Sequence, residues 1–178
     1  MDGLMRRLRI TTLAFSLALL GALVAGAEAR APQSVEPTVA CDQIVLRARS
    51  GVEDGYRTLL GAVSVPGPRH LAADSAATAD RRWRYYRNAG IAIRAGTSAV
   101  GVSVPEGWRH RVAVSWGDSP ASSSLSFAPC GRSGAGAWNS YSGGFHLQAR
   151  GDCVPLLVTV GGMSTTVRIG VGRACGGR

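Results

Sequence analysis

Apolar and polar residues alternate along much of the chain, most clearly near its C-terminus. The even-numbered residues of 154–160 are Val, Leu, Val and Val, and the odd-numbered residues of 165–171 are Thr, Val, Ile and Val. Gly161-Gly162 lies between the two runs, and glycine readily adopts the positive φ that a tight hairpin turn needs. The pattern therefore predicts two β-strands joined as a hairpin.

Similar alternation predicts strands earlier in the chain, at intervals of about 8–12 residues with turn residues between them. Their predicted positions are 42–48, 56–65, 81–94, 100–104, 112–116, 125–127 and 145–147. We expect Asn88-Ala89-Gly90 to divide the strand at 81–94 or to form a bulge. Residues 69–80 and 133–137 lack a clear period and are predicted to be loops.

The strands alternate instead of being continuously apolar, which indicates antiparallel sheets with one solvated face. We therefore predict an all-β fold, an antiparallel two-sheet β-sandwich of the immunoglobulin-like or jelly-roll type that is braced by disulfides. A partly closed barrel is the alternative. Trp83, Tyr85 and Trp116 share their faces with apolar neighbours, so we expect them in the core.

The N-terminal residues follow the order of a secretory signal peptide. Arg6, Arg7 and Arg9 precede an apolar stretch at 10–26, and Ala27-Glu28-Ala29 is a small-x-small cleavage site. The apolar stretch is short for a membrane span, although an uncleaved anchor is the alternative. The predicted organisation is a cleaved signal peptide at 1–29, a flexible lead-in at 30–40 and a single domain at 41–178.

All four cysteines, Cys41, Cys130, Cys153 and Cys175, lie in the predicted mature part. An exported chain meets oxidising conditions, so their even number predicts two disulfides and no free thiol. Three pairings exist and the spacing does not decide among them. We favour Cys130–Cys153 with Cys41–Cys175, which would tie the ends of the domain together. No C-x-x-C and no nearby histidine pair is present, so no metal site is predicted.

The chain has 20 basic and 11 acidic residues, a formal net charge of +9, and every basic residue is arginine. A GC-rich coding sequence would explain the absence of lysine, while the planar arginine fork also suits phosphate and carboxylate groups. A basic surface attracts anionic polymers. We therefore expect an anionic cell-wall or extracellular glycan as partner, no specific nucleic acid, and no membrane span after signal cleavage.

Residues for catalysis do not stand out in the sequence. No G-x-S-x-G occurs, the acids fall mostly in predicted turns, and no cofactor is predicted. His146 alternates with Phe145 and Leu147 and is expected to be exposed. The candidate ligand-binding residues are Trp138, Asn139 and Tyr141, which lie in a Gly/Ser-rich segment predicted to be a loop. The alternative role for this segment is to cap one end of the sandwich.

Four short pieces carry a resemblance to known proteins. They are Phe127-Ala128-Pro129-Cys130, Gly143-Gly144-Phe145, Cys153-Val154-Pro155-Leu156 and the terminal G-V-G-R-A-C at 170–175. The chain resembles in these pieces a group of small exported actinobacterial proteins with a G-G-F … C-V-P-L … G-x-G-x-x-C pattern. The resemblance covers about the last 50 residues well. It implies export and a disulfide-braced β domain, and it brings no catalytic residues.

These observations predict a noncatalytic exported protein that binds or supports structure at the cell envelope or outside the cell. The alternatives are a secreted protease inhibitor or a small secreted hydrolase. An inhibitor would need a rigid exposed loop held by a disulfide, which residues 131–152 would provide if Cys130 paired with Cys153.

Overall fold

The computed structural model describes residues 36–48, 55–67, 81–131 and 137–176, which belong to one compact unit, Ser34–Arg178. In these ranges the secondary structure is almost entirely β, with 3-10 helices at Cys41–Gln43 and Glu106–Trp108 and no α-helix. The predicted signal peptide and the predicted loop at 69–80 lie outside the described residues. The strands are β1 (Thr38–Val39), β2 (Leu46–Ala48), β3 (Tyr56–Leu59), β4 (Val63–Pro66), β5 (Tyr85–Asn88), β6 (Ile91–Arg94), β7 (Val100–Ser103), β8 (Val112–Trp116), β9 (Ser124–Phe127), β10 (Trp138–Tyr141), β11 (Gly143–Leu147), β12 (Asp152–Val160) and β13 (Met163–Val171).

The described strands form three sheets. Sheet A has the order β1-β9-β7-β12-β13, sheet B has the order β2-β10-β6-β4-β3, and sheet C has the order β5-β11-β8. Neighbouring strands are antiparallel, as predicted, except that β1 lies parallel to β9. Strand β1 falls within the predicted flexible lead-in, and its Val39 is fully buried, so part of that lead-in belongs to the folded domain.

The predicted C-terminal hairpin is confirmed. Strands β12 and β13 pair over nine positions, from Asp152 opposite Val171 to Val160 opposite Met163. Gly161 and Gly162 make the turn with φ of 55° and 84°, a region that glycine enters without a steric penalty. The even-numbered side chains of β12 are buried and the odd-numbered ones are partly exposed, in keeping with the period-two pattern.

The single strand predicted at 56–65 is wrong, because this segment forms a second hairpin. Leu60 and Gly61 adopt φ of 47° and 65°, which reverses the chain between β3 and β4. Leucine rarely adopts a positive φ, so nothing about Leu60 marks a turn in the sequence. The apolar residues Leu59, Val63 and Val65 of this hairpin are buried.

A sharp bend between sheets B and C, which we call the glycine corner, explains why the structure has three sheets where two were predicted. One long antiparallel pairing joins 85–94 to 138–147, and it is divided between sheets B and C at Ala89-Gly90 and Ser142-Gly143. At the division the Ala89 N–H donates to the Gly143 carbonyl at 2.8 Å. Strands commonly turn a corner between sheets at such irregular positions. The prediction that Asn88-Ala89-Gly90 divides the strand is confirmed.

The inward faces of all three sheets contribute to one hydrophobic core. Trp116 is fully buried, its indole N–H donates to the Ala89 carbonyl at 2.9 Å, and its ring contacts Phe127 and Phe145. Trp83 is also buried, and Tyr85 packs against the core while half-buried. The core positions predicted for these aromatic residues are therefore confirmed, with Tyr85 at the edge.

The disulfides are Cys41–Cys130 and Cys153–Cys175, so the favoured pairing is wrong, while the absence of a free thiol is confirmed. Strand β1 runs parallel to β9, so the segments that follow these two strands continue in the same direction. This brings Cys41 close to Cys130. Their Cα atoms lie 5.5 Å apart. The hairpin likewise returns the chain to Cys153, where Cys175 lies at a Cα distance of 5.0 Å.

A buried carboxylate organises the end of sheet A next to the Cys153–Cys175 bridge. Asp152 is 3% exposed and accepts hydrogen bonds from Arg111, from Arg173 at 3.2 Å and from the Cys153 N–H at 2.9 Å. A buried charge needs such partners to offset its lost hydration. These contacts give Asp152 and Arg111 a structural role.

Candidate functional site

A cavity of about 290 Å³ opens beside sheet C and is the candidate functional site. We call it the arginine pocket. Its described lining contains two guanidinium groups and two serine hydroxyls, with no Asp or Glu among the described residues. The lining residues are Arg82, Trp83, Arg109, Ala113, Ala121, Ser122 and Ser123.

Local structure holds Arg109 in place. The 3-10 helix Glu106–Trp108 ends there, and the Arg109 N–H donates to the Glu106 carbonyl at 3.1 Å. The side-chain Nε also donates to the Val104 carbonyl at 3.3 Å. This bond orients the guanidinium and leaves its two terminal nitrogens as donors for a ligand. Arg109 is exposed, so these donors are accessible to solvent.

The opposite part of the pocket is built on the segment before β5. Trp83 is 2% exposed, and the Arg82 guanidinium lies 5.3 Å from the centre of its ring. The Arg84 N–H donates to the Leu147 carbonyl at 3.0 Å, and the Gln148 side-chain amide donates to the Arg82 carbonyl. The segment is thus attached to the end of β11, so the two arginines approach from separate elements.

The serine wall is also rigid. Ser122 exchanges two backbone hydrogen bonds with Val114 of β8, at 2.8 and 2.9 Å. The neighbouring Ser123 carbonyl accepts from the Val104 N–H at 2.8 Å. These bonds fix the backbone of both serines. Serine hydroxyls beside guanidinium groups form a donor set that suits a phosphate, sulfate or carboxylate group.

The outer face of sheet C continues from the pocket through Ala113. Strand register places Ala113 opposite His146, and His146 opposite Tyr86. Ser115 Oγ and His146 Nε2 are hydrogen bonded at 2.8 Å, and the Tyr86 and His146 ring centres are 4.9 Å apart. His146 is half-buried, so its predicted exposure is wrong. Burial raises the pKa of Tyr86 above its ordinary value.

The sequence-predicted ligand residues lie elsewhere, in strand β10 of sheet B, so their predicted position in a loop is wrong. Trp138, Asn139 and Tyr141 are 5%, 1% and 1% exposed. The Arg94 guanidinium lies 5.2 Å from the Trp138 ring centre, and Tyr141 Oη is 3.4 Å from Cys130 Sγ. Burial raises the pKa of Tyr141, while the charge of Arg47 lowers it. Such burial argues against an open stacking platform.

Sequence reasoning missed the arginine pocket and the Ser115–His146 pair. Arg82, Arg109 and Ser122 are far apart in the chain, and each is unremarkable among 20 basic residues and many serines. Ser115 and His146 are paired only through the register of β8 and β11. The one usable signal was that residues 81–87 combine arginines with aromatic residues.

No family model matches the chain, and neither a curated protein nor a solved structure matches it significantly. Within the described ranges, no three His, Cys, Asp or Glu side chains are grouped so as to hold a metal ion. The same ranges contain no helix with the length and apolar character needed to cross a membrane. The arginine pocket is therefore the feature of this protein that bears most directly on function.

Proposed function

We propose that this protein is an exported, noncatalytic binding protein of the cell envelope or extracellular space, and that its strands pack as a disulfide-braced β-sandwich. Its arginine pocket binds an anionic group of a cell-wall or extracellular glycan. The donor set of the pocket is the observation that carries this proposal: Arg82, Arg109 and the Ser122–Ser123 wall. The signal-peptide pattern at 1–29 and the two disulfides support export.

Charge determines how such a site works. The excess of basic over acidic residues attracts a polyanion over a distance, and the pocket then selects an anionic group that fits the oriented Arg109 fork beside the serines. Because Arg82 and Arg109 are exposed, each contact is weakened by water and salt. A polymer with repeated anionic groups offsets that weakness, since it can rebind before it diffuses away.

Replacing Arg109 with alanine is expected to weaken retention on purified cell walls and on polygalacturonate. The change removes two oriented donors, and we expect about a fivefold loss of affinity, which corresponds to about 1 kcal/mol. Affinity is measured by sedimentation with the insoluble walls and by affinity electrophoresis in polygalacturonate, at several salt concentrations. Retention of the wild-type protein should decrease as salt rises.

The matched control is Arg168→Ala, which removes the same charge from an exposed residue of β13 that does not line the pocket. If Arg109→Ala and Arg168→Ala weaken retention equally, net charge and not the pocket is responsible. If the wild-type protein passes freely through both materials at low salt, the proposed partner is wrong.

The Ser115–His146 pair favours a second candidate function, a small secreted hydrolase. A histidine that hydrogen bonds a serine hydroxyl can activate it as a nucleophile. Under the noncatalytic proposal we expect a fluorophosphonate probe to leave Ser115 unlabelled. Labelling that is lost in both Ser115→Ala and His146→Ala, detected by peptide mass spectrometry, would establish the hydrolase instead.

The protease-inhibitor alternative loses the observation that motivated it. Neither disulfide closes the segment 131–152, because Cys130 pairs with Cys41 and Cys153 pairs with Cys175. Strands β10 and β11 occupy much of that segment, and both lie within sheets. The described part of the segment is therefore not an exposed rigid loop.

A further inference from the structure

Two aromatic side chains lie beside the arginine pocket on the outer face of sheet C. Val112 and Val114 face the core, so Ala113 between them lies on the outer face, where it lines the pocket. Strand register places His146 opposite Ala113, and Tyr86 opposite His146. These three residues form one row across the sheet. Neighbouring strands are about 4.8 Å apart, so Tyr86 lies about 10 Å from Ala113 along the row.

The rings of Tyr86 and His146 form one surface, which we call the Tyr86–His146 shelf. Their centres are 4.9 Å apart and their planes are inclined at 52°. Ser115 Oγ and His146 Nε2 are hydrogen bonded at 2.8 Å, and this contact restrains the orientation of the imidazole. Both residues are half-buried, so part of each side chain remains accessible to solvent.

The arginine pocket and the shelf offer different chemistry to a ligand. The pocket supplies guanidinium and hydroxyl donors, which bind an anionic group. The shelf supplies aromatic surface, and the electron-rich face of an aromatic ring attracts apolar groups such as C–H. Ala113, which lies between them, carries only a methyl group. A ligand that uses both must carry an anionic group next to a ring with C–H faces, which is the chemistry of an acidic sugar linked to a second sugar.

We propose that the Tyr86–His146 shelf is a second sugar subsite, which binds the unit next to the acidic unit held in the arginine pocket. This inference rests on the proposed function and extends it, because the ligand becomes an acidic oligosaccharide of at least two linked units. The acidic unit directs its anionic group to Arg109 and the serines, and the next unit lays a C–H face on the Tyr86 ring. Two linked sugar rings are long enough to cover the row from Ala113 to Tyr86.

Two probes with the same charge measure the two subsites separately. Galacturonate carries one carboxylate for the pocket, and the disaccharide galacturonosyl-rhamnose carries the same carboxylate with a neutral second ring for the shelf. We expect the wild-type protein to bind the disaccharide about fivefold more tightly, because the second ring buries apolar surface on Tyr86. Both affinities are measured by NMR titration.

Variants assign this preference to the shelf. Tyr86→Ala should bind the two probes equally, with its affinity for galacturonate unchanged, while Tyr86→Phe keeps the ring and should keep the preference. Tyr56→Ala is the matched control, because it removes a half-buried tyrosine from sheet B and should leave both affinities unchanged. Arg109→Ala should weaken binding of both probes by the same factor.

The NMR spectrum of the wild-type protein tests the subsite without any variant. The ring protons of His146 should shift on binding of the disaccharide and shift less on binding of galacturonate, so the test does not depend on whether Tyr86→Ala folds.

The possible failures of the subsite and of the pocket are distinguishable. Equal affinity of the wild-type protein for the two probes would overturn the subsite and leave the pocket intact, as would a folded Tyr86→Ala protein that still prefers the disaccharide. If neither probe binds, or if Arg109→Ala binds both as tightly as the wild type, the proposed function is wrong and the subsite with it.

Discussion

Replacing Cys41 and Cys130 together with alanine is expected to lower the free energy of unfolding by about 4.5 kcal/mol. The bridge closes a loop between residues 89 positions apart, and a longer loop restricts the unfolded chain more. Removing Cys153 and Cys175 opens a separation of only 22 residues, so about 3.5 kcal/mol is expected. The larger loss should therefore come from the bridge that is longer in sequence.

Packing in the folded state should increase this difference. Strand β1 pairs with β9 at only two positions, yet it places the fully buried Val39 in the core. The Cys41–Cys130 bridge follows that pairing directly and holds β1 against the edge of sheet A. The Cys153–Cys175 bridge instead supports a hairpin that already pairs over nine positions.

Denaturant unfolding of the two double variants, followed by tryptophan fluorescence, measures both losses. Thiol labelling of the denatured, nonreduced wild-type protein should find no free cysteine. The removal of Cys153–Cys175 could instead lower the free energy of unfolding as much as the removal of Cys41–Cys130, or more. That result would contradict the expectation that the Cys41–Cys130 bridge stabilises the fold by holding β1 in place. Peptide mapping that joins Cys130 to Cys153 would contradict the pairing itself.

Gly144→Ala is expected to destabilise the protein by about 3 kcal/mol or more, although alanine usually stabilises a strand relative to glycine. A Cβ at Gly144 would lie 1.9 Å from the Arg87 carbonyl oxygen and 3.0 Å from the Ala89 nitrogen. Both are backbone atoms of the paired segment, so no side-chain rotation relieves the clash. The glycine corner between sheets B and C would have to open.

Gly101→Ala is the matched control for this prediction. It adds the same methyl group to a strand glycine whose new Cβ would make only an ordinary contact, at 3.7 Å. Its free energy of unfolding should equal or slightly exceed that of the wild type. Similar stability of Gly144→Ala and Gly101→Ala in urea would show that the corner is not as tightly packed as its geometry indicates.

The corner also matters for the proposed binding site. Strand β11 begins with Gly143-Gly144 and carries His146, and its partner β8 carries the pocket residue Ala113. A Gly144→Ala variant that folds with a displaced β11 should therefore lose part of the pocket's affinity for polygalacturonate as well as stability.

Local pattern determined the β character of this chain and its C-terminal hairpin. Alternation in 154–160 and 165–171 specifies which side chains face inward, and Gly161-Gly162 specifies the turn, all within a few residues of one another. The existence of disulfides likewise followed from the even cysteine count and the export pattern. These features depend on short-range geometry and on composition, which sequence shows directly.

The disulfide pairing, the burial of Trp138–Tyr141 and the arginine pocket were determined by which strands pair across the sheets. The disulfide pairing depends on the parallel contact of β1 with β9, and the burial of Trp138–Tyr141 depends on β10 lying between β2 and β6. The arginine pocket likewise brings together residues from distant parts of the chain. Which strands become neighbours is a property of the packed core as a whole, because many registers satisfy the same local alternation.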